Sequence, residues 1–170
     1  MLEQIVLETA GFRFSFDIDY NWTDQEYMGM IVTLQMLPPL RDLTLRSERS
    51  SIAVSDLREL QTYIEQHMVK IGETTDYIES DVFLNWELGF KIHALSGEVE
   101  PSGDGMFSII CSVNIGKTSD GSRVYLGGES GVTFEQARAF LQDIQTFLDQ
   151  LPELPAELIF GEPATEDGER

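Results

Sequence analysis

The sequence predicts an α+β fold, an antiparallel sheet of about six to seven strands with two amphipathic helices packed on one face. Three observations carry that prediction. Apolar and polar residues alternate over long runs in both halves of the chain. Two other stretches switch to three- and four-residue apolar spacing, the period of a helix with one buried side. The alternating runs are joined by short turn signals, which favour hairpins over parallel crossovers.

Ile5 and Leu7 mark a first short strand, and Gly11 a turn. From Phe12 to Tyr20 the alternation is unbroken: Phe12, Phe14, Phe16, Ile18 and Tyr20 on one side, Arg13, Ser15, Asp17 and Asp19 on the other. Tyr27 to Met36 is the next long strand, ended by Pro38-Pro39, because proline cannot donate to a ladder. Leu43 and Leu45 mark another.

Ser55 is the expected N-cap of the first helix, with Asp56 in its first turn, where the helix dipole favours an anion. Leu57, Leu60, Ile64, Met68 and Ile71 form its apolar stripe, and Gly72 is placed to stop it. From Val82 the period returns to two, and Val82, Leu84, Trp86, Leu88, Phe90 and Ile92 are expected to line the buried face of one long strand that bends at Gly89. Asn85, Glu87, Lys91 and His93 take its wet face.

Gly97 to Gly105 is a turn-rich connection. Phe107, Ile109, Cys111, Val113 and Ile115 are the inner face of the following strand, Asp120-Gly121 is a hairpin signal, and Arg123 to Leu126 pairs back. Gly127 to Gly131 is expected to be a loop leading into the last helix, whose capping box is Thr133 with Gln136. Phe134, Ala137, Leu141, Ile144, Leu148 and Leu151 make its stripe, and Pro152 ends it. The strands-then-helix order occurs twice, without an internal repeat of fixed period.

Length and composition agree with one domain over 1–151, followed by an acidic, proline-containing tail over 152–170 that is expected to be partly disordered. Cys111 is the only cysteine, so no intrachain disulfide forms. The N-terminal stretch lacks a basic region before its short apolar run, and no run is long enough to span a membrane. A cytoplasmic address is the expectation.

Thirty acidic residues oppose eleven basic ones, for a formal charge of −19. That charge counts against nucleic acid, whose phosphates require clustered Lys and Arg, and against anionic lipid surfaces. It favours a basic protein partner, whose approach a negative field accelerates. Solubility alone would account for the same acidity.

No motif for chemistry passes a spacing test. Gly116-Lys117-Thr118 imitates the end of a phosphate-binding loop, but Cys111 stands where the first glycine belongs and a hairpin follows instead of a helix. Asp17, Asp19 and Asn21 imitate the opening of a calcium loop, but Trp22 and Met28 occupy its glycine and glutamate positions. His67, His93 and Cys111 are too few for a zinc site. The expectation is a non-enzymatic chain with no cofactor and no metal.

Three stretches resemble the WapI-type immunity proteins of bacterial contact-dependent toxins. They are Asp19-Tyr20-Asn21-Trp22 at the end of an early strand, Leu57-Arg58-Glu59-Leu60 with Tyr63-Ile64 on the first helix, and Tyr77-Ile78-Glu79 before the next strand. The resemblance implies binding and neutralising a cognate toxin, often a nuclease, whose basic substrate groove an acidic surface can occupy. Independently of the resemblance, the clustering of acidic charge nominates Asp17, Asp19 and Asp24 near Trp22, with Glu79 and Asp81, as partner contacts. Self-association through an edge strand is the alternative.

Overall fold

The structure, a computed structural model, describes residues 2–19, 27–40, 42–74 and 76–151. Among these residues the chain is α+β, with nine strands and two helices, and every strand pairing is antiparallel. The strands form two sheets, which corrects the expectation of one sheet of six to seven. Sheet one holds β1 (Leu2–Glu8), β2 (Phe12–Asp19), β3 (Tyr27–Met36) and β4 (Thr44–Arg46) in that order, with β5 (Ser50–Ala53) also paired to β3. Sheet two holds β6 (Phe83–Leu84), β7 (Phe90–Val99), β8 (Gly105–Lys117) and β9 (Arg123–Thr133) in sequence order. Between the sheets the chain runs through α1 (Val54–Glu73), so β6 opens a fresh meander instead of extending the first. Helix α2 (Phe134–Gln150) follows β9.

The period-two pattern sets the register. Ile5 lies opposite Phe16, and Phe16 opposite Val32; Leu7 faces Phe14, and Phe14 faces Leu34. All six are buried, as are Phe90, Ile92, Ala94, Phe107, Ile109, Cys111 and Val113 of sheet two. The two apolar faces share one core. The Phe90 ring meets Phe16 edge-on at 4.8 Å between centroids and Phe14 at 6.1 Å, while Phe16 stacks on Phe140 of α2. Edge-to-face pairs of this kind add about 0.5–1.5 kcal/mol to the area they bury.

Each helix begins directly after a strand, and each packs chiefly across the molecule. The main strand neighbour of α1 is β7, and that of α2 is β1. The expected packing of both helices on one face of a single sheet therefore gives way to an exchange, each helix covering a strand of the other sheet.

Other local expectations also change. The N-cap of α1 is Ala53, not Ser55, because β5 runs straight into the helix; Asp56 Oδ2 accepts a 3.0 Å hydrogen bond from the Ala53 N–H. The helix continues through Gly72 to Glu73. At α2 the capping box is present as expected: the Gln136 N–H donates to Thr133 Oγ1 at 3.1 Å, and the Thr133 N–H donates to Gln136 Oε1 at 3.0 Å. The buried stripe of α2 also includes Phe140 and Phe147.

Gly127–Gly131 is strand, not loop. A side chain at Gly127 would collide with the Cys111 carbonyl, so glycine here permits close strand approach instead of a turn. Val82–Ile92 is not one strand. It divides into β6, a tight turn over 85–89, and β7. The segment 152–170, assigned to an acidic tail, lies outside the described residues. Among the described residues no helix is long and apolar enough to cross a membrane.

Candidate functional site

The turn over 85–89 is held by hydrogen bonds with three other strands. Asn85, read as a wet-face residue, is fully buried. Its Oδ1 accepts from the Gly89 N–H at 2.8 Å and the Phe90 N–H at 3.2 Å, while its Nδ2 donates to the Ser51 carbonyl in β5. The Leu88 N–H closes the turn onto the Asn85 carbonyl, and Leu88 adopts φ 58°, a left-handed conformation unfavourable for a branched side chain. Its carbonyl accepts from both Asn114 Nδ2 and the Tyr125 hydroxyl, at 2.9 and 2.8 Å. Arg123 donates to the Glu87 carbonyl. Bonds from β5, β8 and β9 thus hold one short turn.

This turn reverses the phase of the alternating pattern. Val82, Leu84 and Trp86, expected inside, are 50%, 41% and 78% exposed. Only Phe90 and Ile92 of the predicted inner face are buried. Tyr77, in the segment before β6, is 72% exposed. Four of the eleven large apolar side chains exposed among the described residues thus fall within 77–86. Asp76, Glu79, Asp81 and Glu87 are exposed along the same segment.

The segment preceding β6 is itself anchored. The Ile78 N–H donates to Ser96 Oγ, and the Ser80 N–H donates to the Ala94 carbonyl of β7. His67 of α1 completes the anchor: its Nε2 lies 2.8 Å from the Leu95 carbonyl, which only accepts, so Nε2 carries the proton and Nδ1 accepts from the Ser80 hydroxyl at 2.8 Å. Burial lowers the His67 pKa below its ordinary value, which keeps the ring neutral and structural. The Glu79 carboxylate meets His93 Nε2 at 2.9 Å on the outer side of sheet two.

The four nominated contacts among the described residues fall on two different segments. Glu79 and Asp81 lie on the segment leading into β6, while Asp17 and Asp19 lie on β2 of sheet one. There Asp17 accepts from Gln4 Nε2 at 2.9 Å, and Asp19 pairs with Arg49 at 2.9 Å. The Arg49 guanidinium crosses Gly29 to reach it, in space that a Cβ would fill. Trp22 and Asp24 lie outside the described residues. Trp86 and Tyr77 were not nominated. An alternating pattern cannot reveal Trp86, although Asn85 with Gly89 could have flagged the turn.

Other candidates take structural places. Cys111 is fully buried, and burial raises its thiol pKa far above the ordinary range, so the thiolate nucleophile is suppressed. The Gly116–Thr118 tripeptide runs into a hairpin, where Asp120 accepts from the Thr118 hydroxyl and the Ser122 N–H; these bonds hold its pKa at about 2. Among the described residues no group of three or more His, Cys, Asp and Glu is arranged to hold a metal ion. Comparison with protein-family models and with curated proteins finds no match for the chain.

Proposed function

We propose that this chain is a protein-binding domain for a basic partner, of the toxin-neutralising type that its resemblance to WapI-type immunity proteins implies. The observation that carries the reading is the segment 76–87, in which exposed Tyr77, Val82, Leu84 and Trp86 are interleaved with Asp76, Glu79, Asp81 and Glu87. Trp and Tyr are the side chains that most often dominate binding energy, and a turn already fixed by hydrogen bonds loses little freedom on docking. The carboxylates and the overall charge of −19 supply attraction and orientation toward a cationic surface. Glu79 and Asp81 are retained from the nominated set as the acidic contacts.

The test is capture from source lysate at low and high salt, comparing the native chain with Trp86→Ser and with Glu79→Gln/Asp81→Asn. The reading expects one basic protein, released by salt, retained by the native chain and weakened about tenfold or more by the tryptophan change. Identical capture by all three chains would overturn it.

A further inference from the structure

Among the described residues the strand β9 forms an edge of sheet two, with β8 as its only strand partner. Its outward peptide groups can be identified. The Ala10 N–H donates to the Gly131 carbonyl at 2.9 Å, so Gly131 directs its peptide away from β8. Peptide direction alternates along a strand, which turns those of Glu129, Gly127, Tyr125 and Arg123 the same way. The turn at 9–11 closes the edge at its 130–131 end, where the Gly11 N–H also donates to Ser130 Oγ. The 123–129 stretch beyond that closure contains no proline and no lysine, the residues that usually protect an edge. Leu126 is 46% exposed on it, and Gly127 and Glu129 are exposed.

We propose that this edge pairs with the same edge of a second copy, antiparallel, with the two-fold axis at Leu126. The sequence is self-complementary in that register and matches the outward peptides. Arg123 faces Glu129 of the other copy, placing opposite charges across the strands on both sides of the axis. Tyr125 lies across from Gly127, and Val124 across from Gly128, so each bulky residue meets a glycine. The two Leu126 side chains meet at the axis. Tyr125 and Gly127 face each other as a hydrogen-bonded pair, in keeping with their outward peptides. An isologous contact closes on itself, so two four-stranded sheets merge into one and assembly stops at a dimer. A foreign strand would not need to satisfy this internal complementarity.

The experiment is sedimentation equilibrium of the full chain up to about 0.5 mM, at about 0.15 M salt, where the repulsion between acidic copies is screened beyond about 8 Å. The native chain is expected to dimerise with concentration. Glu129→Arg sets arginine against Arg123 and is expected to weaken the dimer about tenfold or more; Arg123→Glu/Glu129→Arg restores the pairing and recovers most of the loss. Amide exchange at Tyr125, Gly127 and Glu129 should slow at high concentration only. A strict monomer, or a dimer indifferent to both variants, overturns the proposal. Neither outcome bears on the basic partner, because the capture experiment varies Trp86, Glu79 and Asp81 instead.

Discussion

Two stretches of this chain carry the same alternating code and have different fates. Phe12 to Asp19 is a strand whose apolar residues are all buried. Val82 to Ile92 alternates as well except at Phe83, yet Val82, Leu84 and Trp86 lie outside while Phe90 and Ile92 lie inside. The difference lies in side-chain chemistry between the apolar positions. In β2 the intervening residues (Arg13, Ser15 and Asp17) leave the backbone to pair with β1 and β3. In the second stretch Asn85 accepts two backbone N–H groups itself, and so competes with the ladder. Alternation shows which residues can share a face; polar side chains that bond locally decide whether the face persists.

Substitutions should separate the two regions by size of effect. Phe16→Ala opens a hole where both sheets and α2 meet, and is expected to cost about 3–5 kcal/mol in denaturant unfolding. A cost under about 1 kcal/mol would show that the two sheets do not share the core described. Asn85→Ala leaves two buried N–H groups without an acceptor and should cost about 2–3 kcal/mol. A neutral result would mean that the alternating pattern alone sustains this region.

His67 gives a pH test of the anchor beneath the segment. Its folded pKa is lowered, so below about 6.5 the unfolded chain binds a proton that the folded chain does not. Stability should therefore fall as pH drops below that value, by at most about 1.4 kcal/mol per pH unit from this residue, until the folded ring also protonates. His67→Gln should remove that part of the slope. Trp86→Ala is expected to change stability least, within about 0.5 kcal/mol, because its ring is mostly in water. A loss above about 2 kcal/mol would make Trp86 a structural residue and undercut its assignment to binding.

Much of the fold was legible. The start of β2, the bounds of β3, the stripe of α1, the 120–121 hairpin and the capping box at Thr133 follow from local pattern and turn chemistry, while Tyr20, the expected end of β2, lies outside the described residues. The errors share a cause, which is that one residue type serves two purposes. Glycines at 127–131 read as loop because glycine is common in turns, whereas Gly127 is required by the nearness of Cys111. Strands β5 and β6 are too short to show a period, and each pairs with a longer strand, β3 or β7, outside its own short run. Division into two sheets is a long-range outcome that no local window contains. Within the candidate site, charge made Glu79 and Asp81 visible, while Trp86 was hidden by the pattern that assigned it to the core.

The crossed arrangement of the helices has a consequence for biosynthesis. Strand β1 is the first of the described elements in chain order, and α2, its main helical neighbour, is the last. A nascent chain therefore holds the apolar residues Ile5, Leu7 and Phe16 without their α2 cover until almost every described element has left the ribosome. Docking of α2 is therefore expected to come late in folding, and chains interrupted before it are expected to expose apolar surface that chaperones and proteases recognise.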